Sequence, residues 1–554
     1  MALRQLIQRK SRYAKTTCLP LLSSTVILSR VILSMAALAV PTLGVAMGAA
    51  SASQLNDSIF NKPNPTRSDL ALQAYVWGWT LLAQQRTVYQ HLASAYYPGY
   101  PSAILNQQFD ASPTLATPAD VFYIAYNNDT LYSNGFLNLS QTPVVLSVPA
   151  TGSRYYSLEF QSSYLDVFDY VGTRLGDTAG GRYLITGPSY TGTIPSGYVR
   201  TIQSPTDSVW LLGRTYVNGP ADVSAANAVQ TQYTLSYPNG QTPPNPFAPV
   251  TIPVPPPGNP SQIRDLGASF YAELSSDLTY NPPPSSPDQS VLLASFKAIG
   301  IGPGANPADL PTDAEAQAAI ALGQQLMLKE VVSNQTNVNN WTVSYELGNY
   351  GANYLLRSAM AQFGCQGCQV NIPQEAIYFT GSRDASGDVL NGANSYAIRF
   401  LAGALPPVKP EGFWSITLYD SNGILVANPI DRYSLGSSSP LEFNADGSLT
   451  IYLSNTAPAL AKDLANWLPA PLGDFSLTLR TYIPGETLLD QSYKVPGIEK
   501  QPSSVPGPLP LFGIGAAFGL SRQMRRRIVG SRQNGIRQKG HAYSRAVELA
   551  IGER

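Results

Sequence analysis

Asn127, Asp129 and Tyr132 are the residues of this 554-residue sequence whose types and spacing are best suited to chemistry. Side chains on an extended segment alternate between two faces, so Asn127 and Asp129 share one face. That face would present an amide and a carboxylate, with a phenol nearby. Such a group could hold Mg²⁺ or Ca²⁺, bind a hydroxyl, or activate water with Asp129 as general base. The alternative is that Asn127 and Asp129 cap a turn through their own backbone.

Two arginines and three aromatic residues are further candidates for substrate binding. Arg214 and Arg432 could bind an anion, because a guanidinium pairs with a carboxylate or sulfate through two parallel hydrogen bonds. A structural salt bridge explains each arginine equally well. Trp414, like Tyr433 and Trp467, could form the floor of a ligand pocket, although core packing is the commoner role of such side chains.

Histidine and cysteine limit the chemistry that the chain can perform. Of the two histidines, His541 lies near the carboxyl terminus, so a Ser-His-Asp arrangement would depend on His91. His91 follows a helical pattern, where a structural role is the commoner one, and a zinc site of several histidines is excluded. Cys365 and Cys368 form a lone C-x-x-C pair, for which a local disulfide is expected and a redox role is the alternative.

The net charge of zero conceals an acidic body between two basic ends. Of the 35 basic and 35 acidic residues, residues 1–52 carry 6 and 0, and residues 506–554 carry 9 and 2. The body, 53–505, therefore has 20 basic and 33 acidic residues. Such a body has no electrostatic footprint for nucleic acid, so we expect no nucleic-acid partner.

The first 52 residues have the three parts of a secretory signal. Scattered basic residues precede an apolar stretch at 31–47, and Ala-Ser-Ala follows at 50–52. This order predicts a signal peptide over 1–52, cleaved after Ala52, and a mature protein in the cell envelope or outside the cell. The alternative is an anchor that is never cut.

Hydrophobic periodicity divides the rest of the chain into β and helical regions. We predict an N-terminal helical region at 53–116, a first β domain at 117–240, a stiff proline-rich connector at 241–260, a helical section at 261–363 and a second β domain at 364–498. The expected fold is mainly β with a helical insert (α+β): two β-sandwich or jelly-roll-like domains joined by the helical section.

Short motifs in both β regions resemble a known pair of domains of unknown function, DUF1254 and DUF1214. Those of the first lie at 127–133 (NNDTLYS), 154–157 (RYYS), 204–206 and 213–215. Those of the second lie at 406–407, 413–415 (FWS), 428–433, 446–448 and 466–471 (NWLPAP). The resemblance implies a bacterial, exported or envelope-associated, β-rich protein, and hydrolase activity has been proposed for some members.

Two functions are consistent with these observations. The leading hypothesis is an exported hydrolase of esters or sulfate esters that uses carboxylate and oxygen-ligand chemistry, with Asp129 and Tyr132 as catalytic residues and Asn127, Arg214, Trp414 and Arg432 binding substrate. The rival is a non-catalytic surface or matrix protein that binds glycans through its aromatic residues. The sequence leaves open whether the chain forms a homo-oligomer.

The carboxyl terminus is similar to a variant of the PEP-CTERM sorting tail. A proline motif at 505–510 precedes an apolar run to Leu520 and the three arginines at 525–527, and a basic tail follows at 528–554. The resemblance implies cleavage by an exosortase-type enzyme after transient membrane contact. Gly507 departs from the family, which has glutamate there. An unprocessed anchor and a tail without function are the alternatives.

Overall fold

The computed structural model describes residues 52–93, 103–121, 124–238, 240, 260–364 and 370–502. The predicted signal peptide up to residue 51, most of the proline-rich connector, the Cys365–Cys368 pair and the sorting tail lie outside the described residues. Within the described ranges, no helix is both long enough and apolar enough to cross a membrane.

The first β domain is a sandwich of two sheets. Its strands are β1 (Asp110–Ala111), β2 (Thr130–Asn138), β3 (Val144–Val148), β4 (Tyr156–Ser162), β5 (Val167–Gly172), β6 (Gly181–Thr186), β7 (Arg200–Gln203), β8 (Ser208–Tyr216) and β9 (Thr234–Ser236). One sheet has the order β1-β2-β8-β4-β5 and the other β7-β6-β3-β9. Leu158 and Leu211 of the first sheet pack with Leu146 and Ile185 of the second in a fully buried core.

The second β domain is built in the same way. Its strands are β10 (Thr336–Val338), β11 (Trp341–Val343), β12 (Ala376–Gly381), β13 (Tyr396–Phe400), β14 (Val408–Asp420), β15 (Ser434–Gly436), β16 (Leu449–Ser454), β17 (Trp467–Pro469), β18 (Phe475–Pro484) and β19 (Glu499–Lys500). The larger sheet has the order β10-β11-β12-β18-β14-β15, and the smaller β17-β16-β13-β19. Ile416 and Leu479 pack with Ile398 and Ile451 between them.

Helices fill the space beside the first domain. They are α1 (Ala52–Phe60), α2 (Arg67–Ala93), α3 (Val223–Gln230), α4 (Ser269–Tyr280), α5 (Pro287–Lys297), α6 (Asp313–Ser333) and α7 (Tyr354–Ala359); α8 (Ala461–Ala465) and α9 (Glu486–Leu489) belong to the second β domain. Trp77 of α2, Phe270 of α4 and Phe296 of α5 share one core with Phe136 and Trp210 of the first sheet. α2 is therefore buried nearly all round, not on one face alone.

The prediction of a mainly β chain with a helical section between two β domains is confirmed. The helical section packs on the same face of the first sheet that carries the polar residues described below, since Phe136 and Trp210 project from that face. The β framework therefore determines where these polar side chains lie.

Candidate functional site

Polar side chains cover one face of the larger sheet in each β domain. Tyr132 on β2 lies directly opposite Arg214 on β8. On the second domain, Arg480 of β18 lies opposite both Tyr378 of β12 and Ser415 of β14. Directly paired residues project to the same face of a sheet. Both faces point away from the core between the two sheets of their own domain, and Arg214 on the first face binds Asn371 of the second domain.

Aromatic rings close one end of the space between these faces. The ring centroid of Tyr155, next to β4, lies 5.3 Å from that of Phe413 and 5.4 Å from that of Tyr482. Tyr216, at the end of β8, packs 4.2 Å from Phe413. Such ring pairs contribute about 0.5–1.5 kcal/mol beyond the area that they bury. The two domains are thus in direct contact here.

Asp129 precedes β2 and is bound by the second domain. Its Oδ2 accepts a hydrogen bond of 2.5 Å from Ser415 Oγ, and its Oδ1 accepts one of 3.2 Å from Ser434 Oγ. Burial raises the pKa of the Asp129 carboxyl above its usual value, against the opposing effects of Ser415, Arg480 and Ser434. The carboxyl therefore accepts a proton more readily than an exposed aspartate.

Asn127 both forms a local turn and reaches the second domain. Its Oδ1 accepts a 2.5 Å hydrogen bond from the backbone nitrogen of Asp129, which is the predicted capping contact. Its Nδ2 donates a 2.5 Å hydrogen bond to the phenol oxygen of Tyr482. Because Oδ1 accepts the hydrogen bond from the backbone, Nδ2 is the end of the amide that faces Tyr482.

Arg480 is a buried cation with polar but uncharged partners. Its Nη1 donates to Thr417 Oγ1 at 3.0 Å and its Nη2 to the carbonyl of Ala125 at 2.6 Å. Within the part of the chain that the structure describes, no Asp or Glu oxygen lies within 4.0 Å of its guanidinium. The guanidinium has five N–H groups, so several remain available to a ligand.

The phenols around Arg480 keep its guanidinium charged. Burial acts to lower the pKa of Arg480, but the phenols of Tyr419, Tyr482 and Tyr132 raise it by a larger amount. Burial in turn raises the pKa values of Tyr482 and Tyr378 above their ordinary value, so both phenols keep their hydrogens.

Arg214 belongs to the same space but is already neutralised. Its Nη1 donates to Glu159 Oε2 at 2.8 Å and to Asn371 Oδ1 at 3.1 Å. Its guanidinium carbon lies 5.9 Å from the ring centroid of Tyr132. Asn371 Nδ2 in turn donates a 2.7 Å hydrogen bond to the phenol of Tyr378. The amide orientation is again fixed, because Oδ1 of Asn371 faces Arg214.

Three carboxylates lie beside these faces, and each of their oxygens accepts a hydrogen bond. Asp129 accepts from the two serines, and Glu159 accepts from Gln161 Nε2 at 2.7 Å and from Arg214. Glu375 accepts from Tyr155 at 2.7 Å and from Arg174 Nε at 2.6 Å. Burial raises the pKa of Glu159 and of Glu375. Each of these oxygens keeps a second lone pair.

By contrast, two phenol hydrogens have no acceptor. Tyr482 and Tyr378 each accept a hydrogen bond from an amide that can only donate. Among the described residues, neither phenol has an acceptor for its own hydrogen. Tyr378 and Tyr132 are only partly buried, whereas Arg480 and Tyr482 are buried.

Comparisons with known proteins match these two domains. Residues 106–237 match the family model "Protein of unknown function (DUF1254)" and residues 375–486 the family model "Protein of unknown function (DUF1214)". The chain carries the paired DUF1254 and DUF1214 domains. No curated protein matches the chain.

Two solved structures from bacteria are similar to the chain. The crystal structure of the VPA0106 protein from Vibrio parahaemolyticus is 22% identical, with a TM-score of 0.58, and the match covers 79% of this chain and 100% of that one. An uncharacterized protein from Burkholderia cenocepacia is 11% identical, with a TM-score of 0.37, over 81% of this chain and 93% of that one. The first likeness extends the shared fold across both domains, and neither description names an activity.

The DUF1214 domain places Arg432 and Trp414 away from Asp129. Arg432 Nη1 donates to the carbonyls of Leu464, at 2.7 Å, and Trp467, at 2.9 Å, and burial lowers its pKa. These contacts fix the chain around the end of α8. Trp414 is next to Ser415 on β14 and projects to the opposite face, where its ring centroid lies 5.8 Å from that of Phe400.

Trp414 also lines an open groove of about 410 Å³, together with Leu401, Pro407 and Phe443. Tyr433 donates to Asp431 at 3.1 Å near the surface, whereas Trp467 is buried and donates to a backbone carbonyl of β16. The predicted binding residues therefore fall at different places: Asn127, Asp129, Tyr132 and Arg214 at the domain interface, and Trp414 and Arg432 elsewhere.

His91 ties α2 to the DUF1254 domain. Its Nδ1 lies 2.8 Å from Asp110 Oδ2, and its ring centroid lies 5.2 Å from that of Phe136. Both His91 and Asp110 are buried. Across the described ranges, no group of three His, Cys, Asp or Glu side chains could hold a metal ion. Binding of Mg²⁺ or Ca²⁺ stays a prediction.

Proposed function

We propose that the chain binds a small anionic molecule between its DUF1254 and DUF1214 domains. The observation that carries this proposal is a surplus of hydrogen-bond donors. The phenol hydrogens of Tyr378 and Tyr482 have no acceptor, and they lie beside Arg480, whose charge no described carboxylate pairs. An anion would satisfy all three groups.

The energetics favour a bound anion at Arg480 and not at Arg214. Burying a cation without a partner costs several kcal/mol, and a hydrogen-bonded counter-ion offsets that cost. Glu159 already provides the counter-ion for Arg214. The partners of Arg480 are uncharged, namely the hydroxyl of Thr417, the carbonyl of Ala125 and the phenol of Tyr419, so the ligand would supply the missing charge.

Substitution of Arg480 tests this site. We expect Arg480→Gln to weaken sulfate binding at least about tenfold, because hydrogen bonds to charged groups contribute roughly 1.5–3 kcal/mol. Arg480→Lys should retain part of the affinity, since it keeps the charge and loses the two-pronged geometry. Isothermal titration calorimetry with sodium sulfate measures both.

The matched control is Arg399→Gln. Arg399 lies in the same domain, pairs with Asp446 at 2.6 Å, and both side chains are more than half exposed. This variant should bind as the wild type does. A folded Arg480→Gln protein with unchanged sulfate affinity would contradict the proposal.

A second candidate function, hydrolysis of an ester at this site, is favoured by the bond between Ser415 and Asp129. Ser415 Oγ donates to a buried carboxyl whose pKa is raised, which makes Asp129 a stronger base. In this scheme Ser415 Oγ attacks the ester carbonyl carbon while Asp129 takes its proton. The alcohol leaves with that proton, and water then hydrolyses the acyl group.

Arg480 supports such a reaction by its position. It is the direct strand partner of Ser415, on the same face of the sheet, so it can bind an anionic ester next to the hydroxyl. In a hydrolase of esters or sulfate esters, Asp129 could also act as general base toward a water molecule. A protein that binds sulfate but hydrolyses no ester would instead support a non-catalytic binder.

We also propose that the protein acts outside the cytoplasm. The basic residues, the apolar stretch at 31–47 and Ala-Ser-Ala at 50–52 support export, and the acidic body suits a protein of the envelope or the medium. The proline motif, apolar run and arginines of 505–527 support retention by an exosortase-type enzyme.

A further inference from the structure

Glu330, near the end of α6, is a carboxyl group buried without a partner. The residue is 0% exposed, and neither of its side-chain oxygens forms a hydrogen bond of ordinary geometry with the described residues. Its neighbours Met327 and Val331 on the same helix belong to the hydrophobic core. An ionised carboxylate in such surroundings is costly, whereas the protonated acid is tolerated.

The surroundings of Glu330 favour the protonated form. Burial raises the pKa of Glu330 to about 7, reinforced by the charge of Glu346 and opposed by the side chain of Asn353. Both neighbours lie in the segment 344–353 between β11 and α7, which has neither helix nor strand. The proton on Glu330 is therefore held at the border between α6 and an irregular part of the chain.

The other ionisable groups on the helices that pack against α6 are engaged elsewhere. Burial raises the pKa values of Tyr75 and Tyr354, so neither phenol ionises near neutral pH. The remaining groups have partners of their own: Asp57 with Asn61, Arg67 with Glu315, Asp69 with Lys62, Arg86 with Glu273, His91 with Asp110, and Arg357 with Asp166.

The turn at the start of α7 connects Glu330 with the N-terminal helix α1. Asn353, which lies beside Glu330, caps this turn, because its Oδ1 accepts a 3.1 Å hydrogen bond from a backbone nitrogen of α7. Asn56 of α1 binds the same turn on both sides of Asn353. Its Nδ2 donates to the carbonyl of Ala352 at 3.1 Å, and its Oδ1 accepts from the backbone nitrogen of Leu355 at 3.2 Å. A movement of this turn would loosen α1.

The helix α1 depends on such contacts to stay folded. It has nine residues, fewer than the roughly 12–15 that an isolated helix needs in water. Leu55 and Ile59 pack into the helical core, and the ring centroid of Phe60 lies 4.9 Å from that of Tyr354 in α7. Loss of the contacts with α7 would therefore release and unfold α1.

We propose that Glu330 is a pH-dependent switch for the docking of α1. With its proton, the carboxyl stays buried and the turn before α7 holds Asn56. Without its proton, the carboxylate must gain contact with water, and the segment 344–353 opens because a segment without regular structure opens at lower cost than a helix. The opened segment no longer holds Asn56, and α1 is released. Anion binding plays no part in this switch.

The direction of the pH effect follows from the proton on Glu330. In the docked state Glu330 keeps this proton up to about pH 7, whereas an exposed glutamate loses it near pH 4.5. The contribution to docking is therefore full below pH 4.5 and is lost as the pH rises to about 7. Between pH 5 and pH 8 we expect the ratio of docked to released α1 to fall at least about tenfold, the effect of one pKa unit.

The experiment is amide hydrogen exchange of the full chain at pH 5 and pH 8, followed by mass spectrometry. Each exchange rate is divided by that of an unstructured peptide at the same pH, which gives a protection factor independent of the exchange chemistry. The amides of 58–61 report the docking of α1. Their protection should fall at least about tenfold from pH 5 to pH 8. It should also be lower than that of β18 in the same protein, because α1 opens locally.

Two substitutions of Glu330 and one control complete the test. Glu330→Gln should abolish the fall in protection, because an amide does not ionise. Glu330→Met has a similar length without a buried amide and should abolish it as well. Asp313→Asn, which removes an exposed carboxyl from the same helix, should keep the fall seen in the wild type.

Three results would overturn the switch. The first is a protection factor of α1 that is the same at pH 5 and pH 8 in the wild type. The second is a fall that persists in either folded Glu330 variant. The third is protection of α1 equal to that of β18 at both pH values, because α1 would then open only when the whole chain unfolds.

Discussion

At the scale of the residue, Asp129 joins two domains through one side chain. Its backbone belongs to the turn before β2, and its carboxyl oxygens are bound by hydroxyls of β14 and β15. A structural link and a general base are both consistent with this position, and they differ in what a substitution would change. An amide has the size and hydrogen-bond acceptor of the carboxyl but cannot accept a proton from Ser415.

Asp129→Asn therefore separates the two roles. If an ester substrate is found, we expect the variant to lose activity by at least about 100-fold, the low end for removal of a general acid or base. The melting temperature should change little, because the amide has the size of the carboxyl and its oxygen still accepts a hydrogen bond at the domain interface. Hydrolysis assays and differential scanning calorimetry measure the two effects.

Asp446→Asn is the control, since Asp446 is exposed in the same domain. A large fall in the melting temperature of Asp129→Asn with unaltered specific activity would assign Asp129 to the domain interface alone.

At the scale of the element, β18 shows how far the sequence could predict the site. The alternation of FSLTLRTYIP indicates a strand, and Leu477 and Leu479 are core residues as the pattern suggests. The opposite face carries Arg480 and Tyr482, which a one-sided sheet would leave in water. All ten residues of β18 are buried instead, because the first domain covers the second face.

The residues that cover β18 come from a distant part of the chain, and the sequence could not predict these contacts. Asn127 and Ala125 contact it, each from 355 positions earlier in the chain than its partner. Local periodicity predicted Asn127 and Asp129 as a pair, because their spacing is visible in the sequence. Their partners Ser415, Tyr482 and Arg480 depend on a contact between domains, for which strand patterns carry no signal. The one sign in the sequence is an arginine in a strand that has no other charged residue.

The helix α4 makes a prediction about pH. Asp277 is buried one turn after Glu273, whose carboxylate binds Arg86 at 2.8 and 2.7 Å. Burial, reinforced by the charge of Glu273 and opposed by Arg86, raises the pKa of Asp277 to about 7. The folded protein thus holds a proton that the unfolded chain releases near pH 4. This group's contribution to the free energy of unfolding is full below pH 4 and is lost as the pH rises to about 7.

Asp277→Asn should remove this dependence. Relative to the wild type, the free energy of unfolding of the variant should rise by at least about 1.4 kcal/mol between pH 5 and pH 8, the equivalent of one pKa unit. Urea unfolding at the two pH values measures it. Asp265→Asn, an exposed position in the same section, should show no such change. A difference between wild type and Asp277→Asn that is constant with pH would contradict the prediction.

At the scale of the whole molecule, the position of the site constrains any ligand. The groups proposed to bind the anion belong to the second β domain, but the first domain holds two of them: Asn127 binds Tyr482 and the carbonyl of Ala125 binds Arg480. Binding would therefore depend on the two domains remaining in contact. The interface is polar: hydroxyls, amides and ion pairs hold it beside a small aromatic cluster. If the protein binds small anions outside the cytoplasm, the site must be accessible to anions there. The location of the protein in the cell is therefore part of its function.

The carboxyl-terminal tail is the feature by which that location can be tested. We expect deletion of residues 505–554 to release the protein into the medium, because the proline motif, the apolar run and the arginines at 525–527 stand in the order of a sorting tail. The sixteen residues from 505 to 520 would span roughly 24 Å as a helix, short of a hydrocarbon core of about 30 Å, which favours processing over permanent anchoring. Deletion of 528–554 alone keeps all three parts and should leave the protein with the cells. Immunoblots of cell and medium fractions measure the outcome. If the full-length protein is as abundant in the medium as the form lacking 505–554, the tail does not direct sorting. For the other end of the chain, retention of Met1 in the exported protein would contradict cleavage after Ala52.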